Sequence, residues 1–133
     1  MHTPRREPVS SEWSAAVGGL QARISADRSS GRNARGWALL AATCELRNSG
    51  SAPADVVLLS RLRIIDRLGV TNVCQRKEDV ADMVCARPAV APGQSVSWVQ
   101  DGAVKVPPGR CEMFMVWNGD TNLVSTKVAI EIK

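Results

Sequence analysis

The chain is poor in histidine and in the aromatic residues that supply stacking sites. It contains no tyrosine, one phenylalanine and a single histidine, His2, in 133 residues. One histidine close to a chain end excludes most imidazole-based catalysis and most imidazole metal sites. No apolar run reaches the roughly 18 residues that a membrane-spanning helix needs, because the longest, 56–65, is interrupted by Arg61 and Arg63. The sequence therefore predicts no membrane span.

The composition that is present is typical of one globular domain. A chain of 133 residues and 14.3 kDa with 44% hydrophobic and 23% charged residues can bury a core, and it is neither disordered nor collagen-like. Residues 1–12 are polar and contain Pro4 and Pro8, which predicts a flexible N-terminal tail before a single domain over 13–133. The tail has no apolar segment of a signal peptide. The protein is then either cytoplasmic, or a signal has been removed and Met1 is not native.

The net charge is mildly basic, at +4 with a pI of about 9.2. A nucleic-acid-binding surface combines clustered Lys and Arg with aromatic side chains, but here the clusters are small and aromatic residues make up only 4% of the chain. Nucleic-acid binding is therefore not expected, and the charge is assigned to solubility and steering. The clusters are Arg5 with Arg6, Arg28 with Arg32 and Arg35, and Arg61 with Arg63 and Arg67.

Alternation of apolar and polar residues predicts seven or eight short strands separated by Gly, Pro and Asn turns. The run 37–46 would also permit a helix, but its short length and the turn residues on both sides favour a strand. One short helix is predicted over 77–86, where acidic residues lead and Pro88 ends the run, and an Asp-Gly turn is predicted at 101–102. The predicted strands are 20–26, 37–46, 55–66 with a bend near Ser60, 70–74, 94–100, 111–117 and 126–132.

Three segments resemble those of bacterial immunoglobulin-like sandwich domains. They are LRNSGSAP at 46–53, APGQSVSW at 91–98, and PPGRC at 107–111, followed by Trp117-Asn-Gly and a last strand entered at Val124. Their order is similar to that of BsuPI-type intracellular proteinase inhibitors, with Cys111 in the place of the usual aromatic residue. The strand pattern is itself typical of an all-β antiparallel sandwich, and the resemblance implies the immunoglobulin-like type. It implies no particular function, because one sandwich fold carries many functions.

No arrangement of residues predicts catalysis or a metal site. A nucleophile needs a general base within hydrogen-bond reach, and the cysteines have no histidine to serve as one. Ser125 and Lys127 lie two residues apart, a spacing that many strands show by chance, and the acidic residues at 78–82 lie at a predicted helix start, where they complement the helix dipole. The Asn and Asp residues at 118–122 could ligate calcium, but an Asn-Gly hairpin accounts for them equally. We expect no enzyme, no cofactor and no metal.

The four cysteines include no Cys-Xaa-Xaa-Cys pair, so a zinc site of the usual spacing is not expected. An even number permits two disulfides in three pairings, which would indicate an oxidising compartment, whereas reduced thiols would act as small buried hydrophobic residues. The favoured pairings are Cys74 with Cys85 and Cys44 with Cys111. The second meets a geometric objection. Cys44 lies late in its strand and Cys111 early, so that if the two strands run parallel the residues lie at different heights, and a disulfide needs Cα atoms within about 7 Å.

The loop at 28–37 is the candidate partner-binding surface. It offers Arg28, Arg32, Arg35 and Trp37, and Trp and Arg dominate the hot spots of protein interfaces. Packing is the alternative role for Trp37, because a tryptophan has a large area to bury. The predicted function is a non-catalytic protein-binding or assembly module outside the cytoplasm, with an acidic protein partner and with self-association as an option. The alternatives are a proteinase-inhibitor-like sandwich and a self-assembling subunit of a shell, fibre or phage.

Overall fold

The computed structural model describes residues 8–56, 60–74, 88–118 and 122–133. Over these residues the chain is all-β, without a helix, and forms twelve strands. The predicted helix at 77–86 lies outside the described residues. Within the same ranges, no helix is long and apolar enough to cross a membrane. The strands are β1 (Pro8–Ser10), β2 (Leu20–Asp27), β3 (Ser29–Ser30), β4 (Ala38–Asn48), β5 (Ala54–Asp55), β6 (Arg61–Ile65), β7 (Thr71–Val73), β8 (Ala89–Val90), β9 (Ser95–Val104), β10 (Gly109–Asn118), β11 (Asn122–Val124) and β12 (Val128–Ile132).

The strands form a β-sandwich of two sheets with a small ribbon beside them. The first sheet has the order β1-β2-β4-β9 and the second the order β3-β12-β10-β6-β7, with β11 also paired to β10. The ribbon consists of β5 and β8. All pairs are antiparallel except β3 with β12. The sequence predicts fewer strands because six of the twelve are only two or three residues long, too short to show an alternating pattern.

Alternation along the long strands builds the core between the sheets. In β4, as predicted, Ala38, Leu40, Ala42, Cys44 and Leu46 are buried. In β10, Met113, Met115 and Trp117 are buried, and this strand pairs on one side with β6 and on the other with β12 and β11. Strand β10 is therefore a central strand of the second sheet, and the predicted strand at 111–117 is confirmed. Because side chains alternate between faces, the odd-numbered residues of β4 lie on the outer face of the first sheet.

The predicted turn at 101–102 is wrong. Strand β9 continues through these residues to Val104, where Asp101 pairs with Ala41 and Gly102 with Leu40. The inward alternation also continues, since Gly102 and Val104 are both buried. The ten-residue ladder to β4 thus overrides a local Asp-Gly turn signal, which shows tertiary pairing prevailing over local propensity.

Three buried serines complete the ladders where strands end. In each, the serine N–H donates to a strand carbonyl at 2.8–3.0 Å, and the serine hydroxyl accepts from the N–H of that same strand residue at 2.9 Å. The hydroxyl thus replaces a backbone carbonyl, so the buried N–H keeps a partner. Residues 8–12, predicted to belong to the flexible tail, accordingly lie along β2. The pairs are Ser11 with Ile24, Ser14 with Ala22, and Ser125 with Met115.

The predicted disulfide between Cys44 and Cys111 is wrong, since both are free, buried thiols. Cys44 is late in β4, whereas Cys111 is the third residue of β10, and both strands begin at the same end of the sandwich, so the two side chains lie at different heights. Cys74 is likewise a free buried thiol, and its predicted partner Cys85 lies outside the described residues. Free thiols remove the argument from disulfides for an oxidising compartment.

One end of the sandwich collects the loops that matter below, and we call it the basal end. Here β4 and β10 begin, while β2, β6, β9 and β12 finish. The two sheets meet at this end because Leu40 of the first and Met113 of the second line the same cleft. The loop before β4, the hairpin between β6 and β7, and the connection from β9 to β10 are therefore neighbours.

Candidate functional site

A five-residue turn at 33–37, the first turn, carries two of the four predicted partner-binding residues, Arg35 and Trp37. The Asn33 Oδ1 accepts hydrogen bonds from the backbone N–H groups of Arg35 at 2.9 Å and Trp37 at 3.0 Å. The Asn33 N–H donates to the Trp37 carbonyl at 2.9 Å, and the Gly36 N–H donates to the Asn33 carbonyl at 3.0 Å. Gly36 has a φ of 79°, which glycine adopts without strain. These four bonds fix the backbone that carries Arg35 and Trp37.

A second turn at 66–70, between β6 and β7, repeats the same hydrogen bonds. The Asp66 Oδ1 accepts from the backbone N–H groups of Leu68 at 2.9 Å and Val70 at 3.0 Å. The Asp66 N–H donates to the Val70 carbonyl at 2.9 Å, and the Gly69 N–H donates to the Asp66 carbonyl at 2.9 Å. Hydrogen bonds to the carboxylate, first among them the one from the Val70 N–H, lower the pKa of Asp66. The second turn presents Leu68 and Val70 in the positions where the first presents Arg35 and Trp37.

Arg32 anchors the first turn to the rest of the basal end. Its Nη1 donates to the Gly36 carbonyl at 2.7 Å and its Nη2 to the Val106 carbonyl at 3.0 Å. Its Nε donates to the Lys133 carbonyl at 2.7 Å. One guanidinium therefore joins the turn, the β9–β10 connection and the end of the last strand, a use that suits its rigid fork of donors.

A cleft of about 700 Å³ opens beside the first turn. It exists because β2 pairs with β4 only as far as Ala26 opposite Ala42, after which the chain crosses to the second sheet and forms β3. The gap that this crossing leaves beside the start of β4 reaches down to buried core residues of both sheets. The walls and floor include Asp27, Arg35, Trp37, Leu39, Leu40, Asp101, Met113 and Ile130.

The structure brings together only two of the four residues predicted to bind a partner. Arg35 and Trp37 both line the cleft, Arg35 exposed and Trp37 half-buried. Arg32 is taken up by three carbonyls and lies beside a separate groove. Arg28 is exposed, its carbonyl accepts from the Glu131 N–H at 2.7 Å, and it is not part of the cleft lining. The four therefore do not form one surface.

The sequence reasoning missed the apolar part of this surface. Leu39, on the outer face of the first sheet, is 51% exposed and lines the cleft. Asp101 pairs with Ala41 and lies at the cleft. A signal was available for Leu39, because a strand with its even residues inward turns Leu39 outward. No comparable signal in the sequence pointed to Asp101, because the Asp-Gly pair at 101–102 was predicted to form a turn.

The charge of the cleft lining is mixed. Arg35 contributes one cation, whereas Asp27 and Asp101 contribute two carboxylates. The lining therefore does not itself favour the acidic partner that the arginines of the sequence predict. It combines apolar, cationic and anionic side chains.

The tryptophans other than Trp37 have packing roles. Trp117 is buried, and Trp98 packs against the core. Trp13 lies under the guanidinium groups of Arg23 and Arg47, whose Cζ atoms are 4.3 and 4.2 Å from its ring centroid. These contacts, within the distance of a cation–π interaction, hold the segment before β2 on the outer face of the first sheet.

The groups considered for chemistry are engaged elsewhere. Burial raises the pKa of Cys44 to about 11 and that of Cys74 to about 12, so both are poor nucleophiles at neutral pH. The hydroxyl of Ser125 is buried and hydrogen-bonded to the Met115 N–H, whereas Lys127 is exposed. In the part of the chain that the structure describes, no three His, Cys, Asp or Glu residues could hold a metal ion together. The acidic residues at 78–82 lie outside that part, as do the side chains of the calcium candidates at 118–122.

Comparison with known proteins identifies the fold alone. No protein-family model matches the chain, and no curated protein matches it significantly. The X-ray structure of structural-genomics target SoR45 is similar, with 13% identity, a TM-score of 0.54, and 87% of this chain and 88% of that chain covered. The alkylpurine DNA glycosylase AlkC of Pseudomonas fluorescens, solved on DNA with an abasic-site analogue, matches with 14% identity and a TM-score of 0.53, over 89% of this chain and 31% of that chain. The chain thus spans less than a third of the glycosylase.

Proposed function

We propose that this protein is a non-catalytic, immunoglobulin-like module that binds a segment of another protein in the cleft beside Trp37. The observation that carries the proposal is the juxtaposition of Trp37, Arg35 and Leu39 at one cleft on a fixed turn. Trp and Arg supply most of the energy of protein interfaces when they are held in place. A cleft of about 700 Å³ also lies within the usual range of binding-site volumes.

The immunoglobulin-like assignment is supported by the order of the strands. Taking β2, β4 and β9 as strands A, B and E gives the order A-B-E in the first sheet. Taking β6, β10 and β12 as strands C, F and G gives G-F-C in the second. These are the neighbour relations of the immunoglobulin sandwich, in which loops at the two ends carry binding sites. In this scheme the cleft lies between the A–B loop and the end of strand E.

The rigidity of the first turn supports binding rather than a purely structural role. Asn33 and Arg32 hold the turn by hydrogen bonds from both sides, so little conformational freedom remains to be lost when a partner binds. Trp37 nevertheless stays half-buried and Arg35 exposed. A turn built only to pack its tryptophan into the core would leave less of that side chain accessible.

The proposal is tested by site-specific photo-crosslinking in the cells that make the protein. A photoreactive amino acid at Leu39, beside the cleft, should yield a covalent adduct with one protein partner. The same residue at Val124, which is 48% exposed at the other end of the molecule, serves as the matched control and should not. Adducts that are absent at Leu39, or identical at both positions, would contradict the proposal.

The partner identified in this way allows a quantitative test. The double variant Arg35→Glu, Trp37→Ala should weaken its binding by about 100-fold or more, because each residue is of the hot-spot type. Val124→Ala should leave the affinity unchanged. Isothermal titration calorimetry measures both, and an unchanged affinity in the double variant would exclude the cleft as the binding site.

A further inference from the structure

We propose that the basal end also docks on the surface of a lipid bilayer that contains anionic lipids, with the aliphatic second turn inserted among the lipids and a neighbouring basic groove against the headgroups. This proposal concerns the second turn at 66–70 and does not depend on the partner proposed for the cleft. It rests on three features of the structure: the exposed side chains of the turn, the state of its backbone, and the charge beside it.

The second turn carries a concentration of exposed aliphatic side chains. Leu68 is 69% exposed, Val70 is 54% exposed, and Val73 on the adjoining strand is 45% exposed. Three of the seven large hydrophobic residues that the structure shows as exposed therefore fall within six residues of the chain. Such a cluster at the tip of a hairpin is the kind of exposed apolar surface that marks an interaction site.

Several backbone groups of this turn are hydrogen-bonded within the hairpin. The N–H groups of Leu68 and Val70 are bonded to the Asp66 carboxylate, and the N–H group of Gly69 is bonded to the Asp66 carbonyl. The Val70 carbonyl accepts from the Asp66 N–H and from the Asn72 side chain, at 2.9 and 3.0 Å. Moving unbonded amides into a bilayer is costly, and structures that enter lipid satisfy them internally. The bonded groups of the second turn meet this requirement within the hairpin.

A basic groove of about 550 Å³ lies at the same end of the sandwich. Its cations are Arg32, Lys105 and Lys133, and among the described residues that line it there is no Asp or Glu. The remaining lining residues are Gly36, Val106, Pro107 and Pro108. A groove of this composition fits phosphate and carboxylate headgroups, to which each nearby Lys or Arg adds electrostatic attraction.

The turn and the groove are physically joined. The Arg67 side chain of the second turn lies on Gly109, where a Cβ would be only 3.0 Å from the Arg67 Cδ. Gly109 directly follows Pro107 and Pro108, which line the groove. The aliphatic tip and the cations therefore lie close together at the basal end, with Arg67 between them.

A bilayer matches both the exposed aliphatic turn and the basic groove, which favours a bilayer over an acidic protein or a nucleic acid as the partner. A nucleic acid would use the cations but leave Leu68 and Val70 in water. An acidic protein would need a pocket shaped for the tip beside a carboxylate-rich ridge. An anionic bilayer offers a deformable apolar layer directly beneath negative headgroups, the arrangement that surface-bound proteins use.

Vesicle co-sedimentation with the full chain tests the proposal. The probes are vesicles of phosphatidylcholine alone and vesicles in which about a third of the lipid is phosphatidylserine. We expect binding to the anionic vesicles, weakened by added salt. Leu68→Ser with Val70→Ser should weaken it by about tenfold or more, from the lost apolar burial, and Lys105→Glu by about fivefold or more.

Val124→Ser is the matched control, because it removes an exposed aliphatic side chain at the opposite end of the molecule, and it should bind as the unmodified protein does. All these positions are exposed, so the variants should fold, which their melting temperatures verify. No sedimentation with anionic vesicles would overturn the proposal. Binding that is insensitive to the change at Leu68 and Val70, or to Lys105→Glu, would overturn it as well.

Discussion

Two turns at the basal end share one hydrogen-bond pattern and carry different side chains. In 33–37 and 66–70, the first side chain caps the N–H groups two and four residues later, and a glycine with φ near 80° occupies the fourth position. The first turn displays Arg35 and Trp37, and the second displays Leu68 and Val70. The turn geometry therefore depends on the capping residue and the glycine, and the residues between and after them are free to determine what the turn binds.

The two turns also differ in how they are attached. The first is held from outside by Arg32, which bonds to three carbonyls, and it lies beside a cleft. The second is held by its own carboxylate and by Asn72 and projects from a hairpin. A rigid turn at a cleft suits recognition of a shaped partner, whereas a self-contained projecting turn suits insertion into an apolar medium.

Replacing the glycines tests whether the two turns depend on the same backbone geometry. Gly36→Ala and Gly69→Ala should each reduce the free energy of unfolding by about 1–2 kcal/mol, because an L-residue in the left-handed conformation is strained. No atom lies within 4 Å of the added Cβ at either position, so the loss should come from the backbone alone and be similar in both. Urea unfolding measures it.

Gly31→Ala is the control for this comparison. Its φ is not positive and the added Cβ would also meet nothing within 4 Å, so we expect a change below about 0.5 kcal/mol. A loss as large as those at the other two glycines would show that backbone strain is not their cause.

Acid should reduce the contribution of the second turn to the stability of the fold, and it should leave the contribution of the first turn unchanged. Because the folded state lowers the pKa of Asp66 below its ordinary value of 3.8, the carboxylate stabilises the fold above that value, and its contribution is lost as the pH falls through the lower folded pKa. Asn33 has no such titration. Asp66→Asn should therefore flatten the loss of stability in acid, and Asn33→Asp should steepen it.

Urea midpoints at about pH 7 and about pH 3 measure the two slopes. The double exchange, Asn33→Asp with Asp66→Asn, is the internal control, because it moves the titrating group from one turn to the other. If the acid dependence is the same in all variants, the carboxylate of the second turn does not contribute to it.

The smallest expected effect concerns Cys111, the thiol close to the second turn, compared with Cys44, which lies farther along β4. Burial, and next the charge of Asp66, raise the pKa of Cys111, whereas burial alone raises that of Cys44. Asp66→Asn should therefore modestly increase the alkylation rate of Cys111 at alkaline pH, since the thiolate is the reactive form. The rate at Cys44, measured by peptide mass spectrometry in the same sample, should not change. Equal changes at both would point to general loosening of the fold.

The sequence predicted the long strands because each buries one face. The alternation in β2, β4 and β12 set their register to the core, and the structure confirms it. The same reasoning failed at 101–102, where a ladder of ten pairs outweighed a local turn signal. It also failed for the disulfide between Cys44 and Cys111, because height within the sandwich depends on where strands begin, and no local pattern encodes that.

The candidate site was predicted only in part, for a similar reason. The sequence predicts one basic surface from the cluster of Arg28, Arg32, Arg35 and Trp37. In the structure Arg32 turns to the carbonyls of Val106 and Lys133, residues roughly 70 and 100 positions away, which sequence proximity gives no means to foresee.

The sequence by itself determined the all-β class, the inward faces of the long strands and the scarcity of histidine. Those features follow from local alternation and composition, which need no knowledge of distant partners. Only the tertiary structure decided that β2 leaves its sheet early and opens a cleft, that Arg32 serves as an anchor, and that two similar turns lie together at one end. These depend on contacts between residues far apart in the chain, which form only when the two sheets pack around a common core.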